Sequence, residues 1–237
     1  MNDPIERALT YPYGAPERSY LFADGAAHPY FPGQAREEGR IPVIGYGSNR
    51  SPERLVQKYG EPGHRIPVET AWLEGYDVVY AARLSGYGAV PATIAPCPGC
   101  RLPVKLTWLS LHQLPAMHAS EGVGRVYDFG ELEAPLEGEH SGPLGRAFVY
   151  INRGGAYAPN GQPIPLAEIG SEQRAWTALH QPEMQKSLAD WLQPGASAEE
   201  FAATTLSGDA IRRERAGRMA ERAVRWHHPS FRRLSQK

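Results

Sequence analysis

Glycine and proline restrict the fold of this chain more than any other feature of its sequence. The chain has 25 glycines and 22 prolines among 237 residues. That share of about a fifth exceeds the average of about 12% but stays below the 25–30% typical of low-complexity disorder. Because both residues interrupt helices and strands, we predict an ordered chain built from short elements joined by many turns.

The central part of the chain has the pattern of a β-sheet with few helices. Five short runs rich in β-branched or aromatic residues, bounded by glycine or proline, are predicted strands: Trp72–Ala82, Ala89–Ala95, Lys105–Leu111, Arg125–Glu131 and Gly145–Ile151. Helices are predicted among them only at Pro52–Tyr59 and near Leu111–Ser120. A parallel doubly wound sheet would alternate strands and helices, so we predict an α+β fold with a mixed or antiparallel sheet or barrel.

The two ends of the chain differ from this centre. Residues 1–40 combine proline, glycine, tyrosine and phenylalanine, which predicts an irregular arm without helices, held on the core by its aromatic side chains. Beyond residue 170 the pattern is helical, and the predicted helices are Ser171–Leu179, Glu183–Leu192, Ala198–Leu206 and Ala210–His227. We therefore predict an arm at 1–40, a barrel domain at 41–170 and a helical extension at 171–237.

Composition excludes several classes of protein. No run approaches the 18–20 apolar residues that a membrane span needs, and the amino terminus lacks the basic and apolar stretches of a signal peptide. We therefore expect a soluble, cytoplasmic protein with no membrane partner. The formal net charge of −1 gives no overall attraction to nucleic acid.

The two cysteines are too few for a disulfide scaffold, and they lie in one motif, Cys97-Pro98-Gly99-Cys100. As half of a zinc site the motif would need two further ligands, for which His112, His118 or His227-His228 are the candidates. As a redox pair it would be expected at a helix start in a βαβ unit. A structural turn is the favoured interpretation, so we predict no metal and no cofactor.

The carboxyl-terminal segment is strongly basic. Residues 209–237 contain nine arginines or lysines and three acidic residues. An apolar stripe is formed by Ile211, Ala216, Met219, Ala220, Ala223 and Val224, and most arginines lie off it. We favour an amphipathic helix packed on the acidic remainder of the protein, with its arginines in solvent or paired. A surface for nucleic acid or an anionic membrane is the alternative.

The sequence GYGSN at Gly45–Asn49 joins a short apolar run to a predicted helix. Ser51 can cap that helix, Pro52 suits its first position and Glu53 faces its positive end. Backbone N–H groups in such a turn suit a carboxylate, a phosphate or an oxyanion. A dinucleotide fingerprint would need glycine at Arg50 and a βαβ unit, and a nucleophile elbow would need G-x-S-x-G. A tight turn without a ligand remains the alternative.

A second candidate is Glu121, which is followed by Gly122 at the end of the second predicted helix. A carboxylate that is partly buried in a cleft at such a position can have its pKa raised toward the working pH of a general base. A solvated surface glutamate is the alternative.

Taken together, the motifs resemble those of a known family. They are GYGSN at the end of the first core strand, ATIAPCPG at 92–99, LHQLPAMHASEG at 111–122, the tyrosine of VYDFGEL and AFVYIN at 147–152. Their order and spacing are similar to the γ-glutamylcyclotransferase-like family, over less than half of the chain. The sequence departs from that family at Met117-His118, where the family has Leu-Asp, and at Arg50, where an apolar residue is common.

The resemblance implies a small mixed β-barrel flanked by helices and a reaction that releases 5-oxoproline from a γ-glutamyl amine or peptide. It implies that Glu121 is the catalytic acid/base. The substrate-binding residues that it implies are Tyr46, Gly47, Ser48, Asn49 and Tyr127. Tyr150 also matches a family tyrosine. The substrate's own amine is the nucleophile, which suits a sequence without a Ser/His/Asp or Cys/His set.

The expected partner is therefore a small γ-glutamyl substrate, and the oligomeric state is left open. Two alternatives remain. One is a small-molecule binding protein on the same fold that has lost turnover, and the other is a nucleic-acid-associated protein that uses the arginine-rich helix.

Overall fold

The computed structural model describes residues 3–31, 33–36 and 39–234, and these residues form a mixed α+β fold with six α-helices and a large sheet. The helices are α1 (Pro4–Leu9), α2 (Pro52–Tyr59), α3 (Leu114–Glu121), α4 (Gln181–Leu192), α5 (Ala198–Leu206) and α6 (Asp209–Ala220). The strands are β1 (Tyr20–Ala23), β2 (Ala26–Pro29), β3 (Arg40–Gly45), β4 (Arg65–Tyr80), β5 (Ala92–Ser110), β6 (Tyr127–Gly138), β7 (Gly142–Asn152), β8 (Ala156–Tyr157), β9 (Ala223–Val224) and β10 (Phe231–Arg233). No helix in these ranges is long and apolar enough to cross a membrane.

The main sheet has eight strands in the order β10-β6-β7-β3-β5-β4-β1-β2. Strands β3 and β7 pair in parallel, and the other pairings in this sheet are antiparallel, which confirms the prediction of a mixed sheet. Strand β6 also pairs with β4. The pairings of β4, β5, β3, β7 and β6 therefore form a closed circuit, and β8 and β9 form a separate two-stranded ladder.

Strand β5 is one long element where the sequence predicted two strands. Its pairing with β4 shifts between Glu74 opposite Arg101 and Tyr76 opposite Pro96. One residue of β4 therefore faces the four residues 97–100 of β5. The turn that was predicted at these residues is instead a bulge within β5. Its two cysteines are joined by a disulfide with their Cα atoms 5.4 Å apart, a bond that the sequence analysis did not predict.

The prediction of an arm without helices was wrong, because α1 lies within it. The Asp3 side chain accepts a hydrogen bond from the Ile5 N–H at 3.0 Å and caps the helix. Pro4 fits the first turn, where a backbone N–H would have no helical partner. The arm also contributes β1 to the main sheet. Tyr11 and Phe22 are buried, as expected for aromatic anchors.

The extension beyond residue 170 is helical only in part. Helix α5 has the predicted bounds, and its capping box joins Ser197 N to Glu200 Oε2 at 2.7 Å and Glu200 N to Ser197 Oγ at 3.1 Å. The helix predicted at Ser171–Leu179 was wrong. That segment forms isolated bridges instead, and Arg174 binds the buried Asp77 at 2.8 Å. Long-range contacts thus replace the local helical hydrogen bonds there.

Helix α6 ends at Ala220, seven residues before the predicted end at His227. The chain then forms β9, which pairs with β8 and so ends the helical hydrogen bonding. The prediction that the arginines avoid the buried face was also wrong for Arg215. Its guanidinium is buried, where it donates to the Phe201 carbonyl at 2.8 Å and to Thr205 Oγ1 at 2.5 Å.

One hydrophobic core takes side chains from all three predicted parts of the chain. Tyr11 of the arm, Ile44 and Leu106 of the sheet, and Leu188 and Phe201 of the extension belong to the same buried cluster. This cluster continues across residues 40 and 170, and the domain boundaries proposed there stay a prediction.

We predict that Arg174→Ala lowers the free energy of unfolding by about 3–5 kcal/mol, because it leaves the buried carboxylate of Asp77 without its cation. Lys186→Ala removes an exposed ion pair with Asp190 and should cost less than about 1 kcal/mol. Urea unfolding followed by circular dichroism measures both changes. Equal losses in the two variants would contradict the assigned role of the Asp77 contact.

Candidate functional site

The loop at Gly45–Asn49 connects the end of β3 to α2. After Tyr46 and Gly47 the chain makes a 3-10 turn at Ser48–Arg50, and Ser51 Oγ then accepts a hydrogen bond from Glu53 N at 3.2 Å. The predicted succession of strand, glycine loop and capped helix is therefore confirmed. A Cβ atom at Gly45 would meet the Asn49 carbonyl group at 3.3 Å, so the loop folds tightly back on its own strand.

Glu121 reaches this loop from the end of α3. Gly122 ends the helix in the left-handed conformation, with φ of 59°, and its N–H bonds back to the helix. Asn49 Nδ2 donates to Glu121 Oε1 at 3.1 Å. The two motifs, which are 72 residues apart in the sequence, are therefore in direct contact.

A cavity of about 210 Å³ lies at this contact. Its lining contains all six predicted site residues, namely Tyr46, Gly47, Ser48, Asn49, Glu121 and Tyr127. Other elements contribute Tyr11, Ile44, Arg54, Arg83, Ser85, Gly86, Tyr87, Pro91, Ala92, Ala119, Ser120, Gly122, Arg125, Val126 and Tyr150. The structure thus brings the predicted residues together in one concave site, and their roles in binding and catalysis stay predictions.

Lys58 contacts two of the predicted site residues, and the sequence analysis missed it. Its ammonium lies 2.7 Å from Glu121 Oε1 and donates to Asn49 Oδ1 at 2.6 Å. The Lys58 side chain is 2% exposed and that of Glu121 is 14% exposed. A signal was present, since Arg54 and Lys58 are four residues apart on the helix that follows the loop and so share one face.

The ion pair reverses the expected pKa of Glu121. Burial raises the pKa of this carboxyl, but Lys58 and the Asn49 amide outweigh burial and hold the pKa below its ordinary value of 4.5. The prediction of a raised pKa was therefore wrong, because it considered burial without the cation. Burial also lowers the pKa of the Lys58 ammonium from 10.5, against the opposing charge of Glu121.

The tyrosines of the cavity are tied to backbone carbonyls. Tyr46 Oη donates to the Tyr150 carbonyl, and Tyr127 Oη donates to the Ala92 carbonyl at 3.1 Å. Burial raises the pKa of both phenols, so they are neutral near neutral pH. His118, which stands where the family has aspartate, bonds Tyr150 Oη at 2.8 Å but is not among the residues that line the cavity.

Away from this cavity, one buried cluster has the donor atoms of a metal site. Ligand atoms of Asp77, Cys97 and Cys100 lie within 4.8 Å of one another. The two sulfurs are bonded to each other, and the carboxylate accepts hydrogen bonds from Arg174 and from Ser171 Oγ. In this arrangement the donor atoms of the cluster are occupied by the disulfide and by these hydrogen bonds.

Comparisons with known proteins identify a partial likeness of fold. No protein-family model matches the chain, and no curated protein matches it. A protein of Arabidopsis thaliana with a solution structure is 17% identical over 51% of this chain and 73% of its own, with a TM-score of 0.39. A gamma-glutamyl cyclotransferase is 16% identical over 48% of this chain and 66% of its own, with a TM-score of 0.37.

An uncharacterized protein of Homo sapiens covers more of the chain, being 14% identical over 75% of this chain and 99% of its own, with a TM-score of 0.40. At these identities and TM-scores the likeness carries no argument about activity. The function is therefore argued below from the residues of the site.

We predict that Lys58→Met raises the pKa of Glu121, because burial then acts without an opposing cation. In the wild type, the lowered pKa of Glu121 contributes stability that is present above pH 4.5 and is lost as the pH falls through the lowered pKa. In the variant, stability should instead be lost as the pH rises. Carbon-13 NMR of the glutamate carboxyls measures the pKa directly.

At pH 7 the same variant should lose about 3–5 kcal/mol of stability, because the carboxylate stays buried without its partner. The loss should shrink near pH 4, where a neutral carboxyl costs less to bury. Lys186→Met is the exposed control and should leave the Glu121 pKa unchanged. If Lys58→Met does not fold, Lys58→Gln provides the same test, and an unchanged Glu121 pKa would refute the assigned cause.

The arm presses against the glycine loop through Tyr11. A Cβ atom at Gly47 would lie 2.5 Å from Tyr11 Oη. We predict that Gly47→Ala costs about 1–3 kcal/mol by overpacking. Tyr11→Phe removes the clashing hydroxyl, although it also leaves the Ala92 N–H, now bonded to Tyr11 Oη at 2.9 Å, without its acceptor.

The double variant Tyr11→Phe/Gly47→Ala should therefore lose less free energy of unfolding than the sum of the losses in the two single variants. Thermal or urea unfolding of all four proteins completes the cycle. Additivity within about 0.5 kcal/mol would show that Tyr11 and Gly47 do not interact.

Proposed function

We propose that this protein is a γ-glutamylcyclotransferase-like lyase that releases 5-oxoproline from a γ-glutamyl amine or peptide. The observation that carries the proposal is the direct contact of Glu121 with the Tyr46–Asn49 loop around one cavity. An acid/base group and a set of backbone donors are what this cyclisation needs, since the substrate supplies its own nucleophile.

The loop has donors to offer a reacting carbonyl. In the described part of the chain, no hydrogen bond occupies the backbone N–H groups of Ser48 and Asn49. Such groups stabilise the oxyanion that forms when the amine attacks the γ-carbonyl. Tyr46 and Tyr127 shape the cavity around this point and remain neutral.

Glu121 moves the proton in this scheme. The α-amine of the substrate, with an ordinary pKa of about 7.7–8.0, is largely protonated near neutral pH and must lose its proton before it attacks. The carboxylate accepts this proton, the amine nitrogen bonds to the γ-carbon, and the C–N bond of the amide breaks. Glu121 then returns this proton to the leaving nitrogen. The ring nitrogen passes its second surplus proton through Glu121 to the same amine, so that 5-oxoproline and an ammonium form without water.

Lys58 sets the protonation state of Glu121 before the reaction begins. By holding the pKa of Glu121 low it keeps the base ionised inside a buried site. The same charge weakens the base, because a protonated Glu121 would leave the Lys58 ammonium without its partner. We infer that attack and proton transfer are closely coupled, so that a neutral Glu121 is short-lived.

The closed strand circuit of β4, β5, β3, β7 and β6 supports the proposal of a small barrel of the family's type. The arm and the helical extension are then additions to that barrel. The proposed partner is a small γ-glutamyl compound in the cytoplasm.

A binding protein without turnover is the second candidate, and the low pKa of Glu121 is the observation in its favour. Release of 5-oxoproline from γ-glutamyl compounds separates the two functions. The contacts of the α6 arginines do not favour a nucleic-acid-binding protein over the lyase or the small-molecule binding protein. Arg215 is buried, Arg212 lies 2.7 Å from Asp209, and Arg218 lies 3.6 Å from Glu221.

We predict that Glu121→Gln lowers kcat by about 10²–10⁴-fold, because the amide keeps the shape of the side chain but cannot accept the proton. KM should change less, since the loop backbone does much of the binding. The measurement is the rate of 5-oxoproline release from a γ-glutamyl compound that the wild type cyclises.

Glu61→Gln is the matched control, since Glu61 is exposed and outside the cavity, and it should retain the wild-type kcat. Circular dichroism must show that both variants are folded. A Glu121→Gln protein with near wild-type kcat would exclude this carboxylate as the base and move the search to His118.

A further inference from the structure

Three arginines line the cavity without an acidic partner of their own. Arg54 belongs to α2, Arg83 to the segment between β4 and β5, and Arg125 to the turn after α3. None of the three forms an ion pair with a carboxylate within the described ranges, although the charge of Arg54 contributes to the lowered pKa of Glu121. The carboxylate of this cavity, Glu121, is already paired with Lys58.

The charges of a γ-glutamyl group do not neutralise these three arginines, which we call the cationic wall. Its α-carboxylate and α-ammonium cancel each other, so the group brings no net charge into the site. One guanidinium can take the α-carboxylate in a bidentate contact. Two positive charges then remain unmatched, in a concave site where such charges focus the field on a bound anion.

A second observation points to the same part of the cavity. Ser85 lies two residues after Arg83, is 7% exposed, and its hydroxyl has no hydrogen-bond partner among the described residues. A buried hydroxyl without a partner is costly unless a ligand satisfies it. Ser85 therefore adds a neutral donor to the cationic wall.

The arginine of α2 is held in place by an aromatic ring. The Arg54 guanidinium lies over Tyr87 at 5.8 Å, and Arg7 of α1 lies over the same ring at 4.9 Å. Both arginines also donate to Gln57 Oε1. The arm thus adds a further positive charge behind the wall and no acidic one in these contacts.

We propose that the amine released by this protein carries two negative charges, as a phosphate monoester or a pair of carboxylates. Arg54, Arg83 and Arg125, with the Ser85 hydroxyl, bind that acidic end. This inference rests on the proposed function, because it assigns the remainder of the same substrate. The reaction is unchanged by it, since the acidic group takes no part in bond making.

The test compares four substrates that share the γ-glutamyl group. They are γ-glutamyl ethylamide, which is neutral beyond that group, γ-glutamylglycine with one charge, and γ-glutamylglutamate and γ-glutamyl phosphoethanolamine with two. At low salt, kcat/KM for at least one doubly charged compound should exceed that for the ethylamide by about tenfold or more, mainly through KM. The advantage should shrink at high salt, where charges are screened. The two doubly charged compounds distinguish phosphate from paired carboxylates.

The variants Arg83→Gln and Arg125→Gln should each reduce this preference, and the double variant should abolish most of it. Arg125 is exposed, so its replacement carries little risk to the fold. Arg83→Lys should restore part of the preference, since it restores the charge. Arg213→Gln, an exposed arginine of α6 outside the cavity, should leave the preference as in the wild type.

The outcomes separate the two proposals. Equal turnover of all four compounds would overturn the acidic-amine proposal and leave the lyase function standing. If none releases 5-oxoproline, the proposed function fails, and calorimetric binding of the same four compounds then decides about the acidic end. Tighter binding of the doubly charged compounds that is lost in Arg83→Gln would support it, and equal or absent binding would overturn it.

Discussion

The contact of Lys58 with Glu121 and Asn49 holds together the elements that form one side of the cavity. Lys58 comes from α2, Glu121 from the end of α3 and Asn49 from the loop after β3, so one ammonium joins three elements. Each group is largely withdrawn from water, and each would be costly to bury without the others. The relative position of the loop and the carboxylate is therefore fixed by electrostatics as well as by packing.

This contact sets the chemistry that the site can perform. A buried carboxylate by itself would bind a proton too readily and rest in the neutral form. With Lys58 beside it, Glu121 rests ionised and can accept a proton, at the expense of base strength. Under the proposed function this state suits the substrate, whose α-ammonium group brings the proton and the nucleophile on the same atom.

The rest of the cavity is built from parts that are distant in the sequence. Tyr11 comes from the arm, and Arg83 and Ser85 come from the segment that joins two long strands. Arg7 of the arm contacts the cavity residue Tyr87. The cavity therefore combines the Glu121 contact with three arginines, and Tyr11 of the arm is part of its lining. Tyr11 thus belongs both to the cavity lining and to the hydrophobic core.

The sequence by itself determined the local elements whose signals lie within a few residues. Helix α5 and its capping box, the Ser51 cap of α2 and the loop at Gly45–Asn49 follow from hydrogen bonds and turns between near neighbours. Only the tertiary structure decided the rest. It replaced the helix predicted at Ser171–Leu179 by contacts with Asp77, placed Lys58 on Glu121, and so reversed the expected pKa. Interactions between distant residues depend on how the strands pair, and a single sequence does not reveal that pairing.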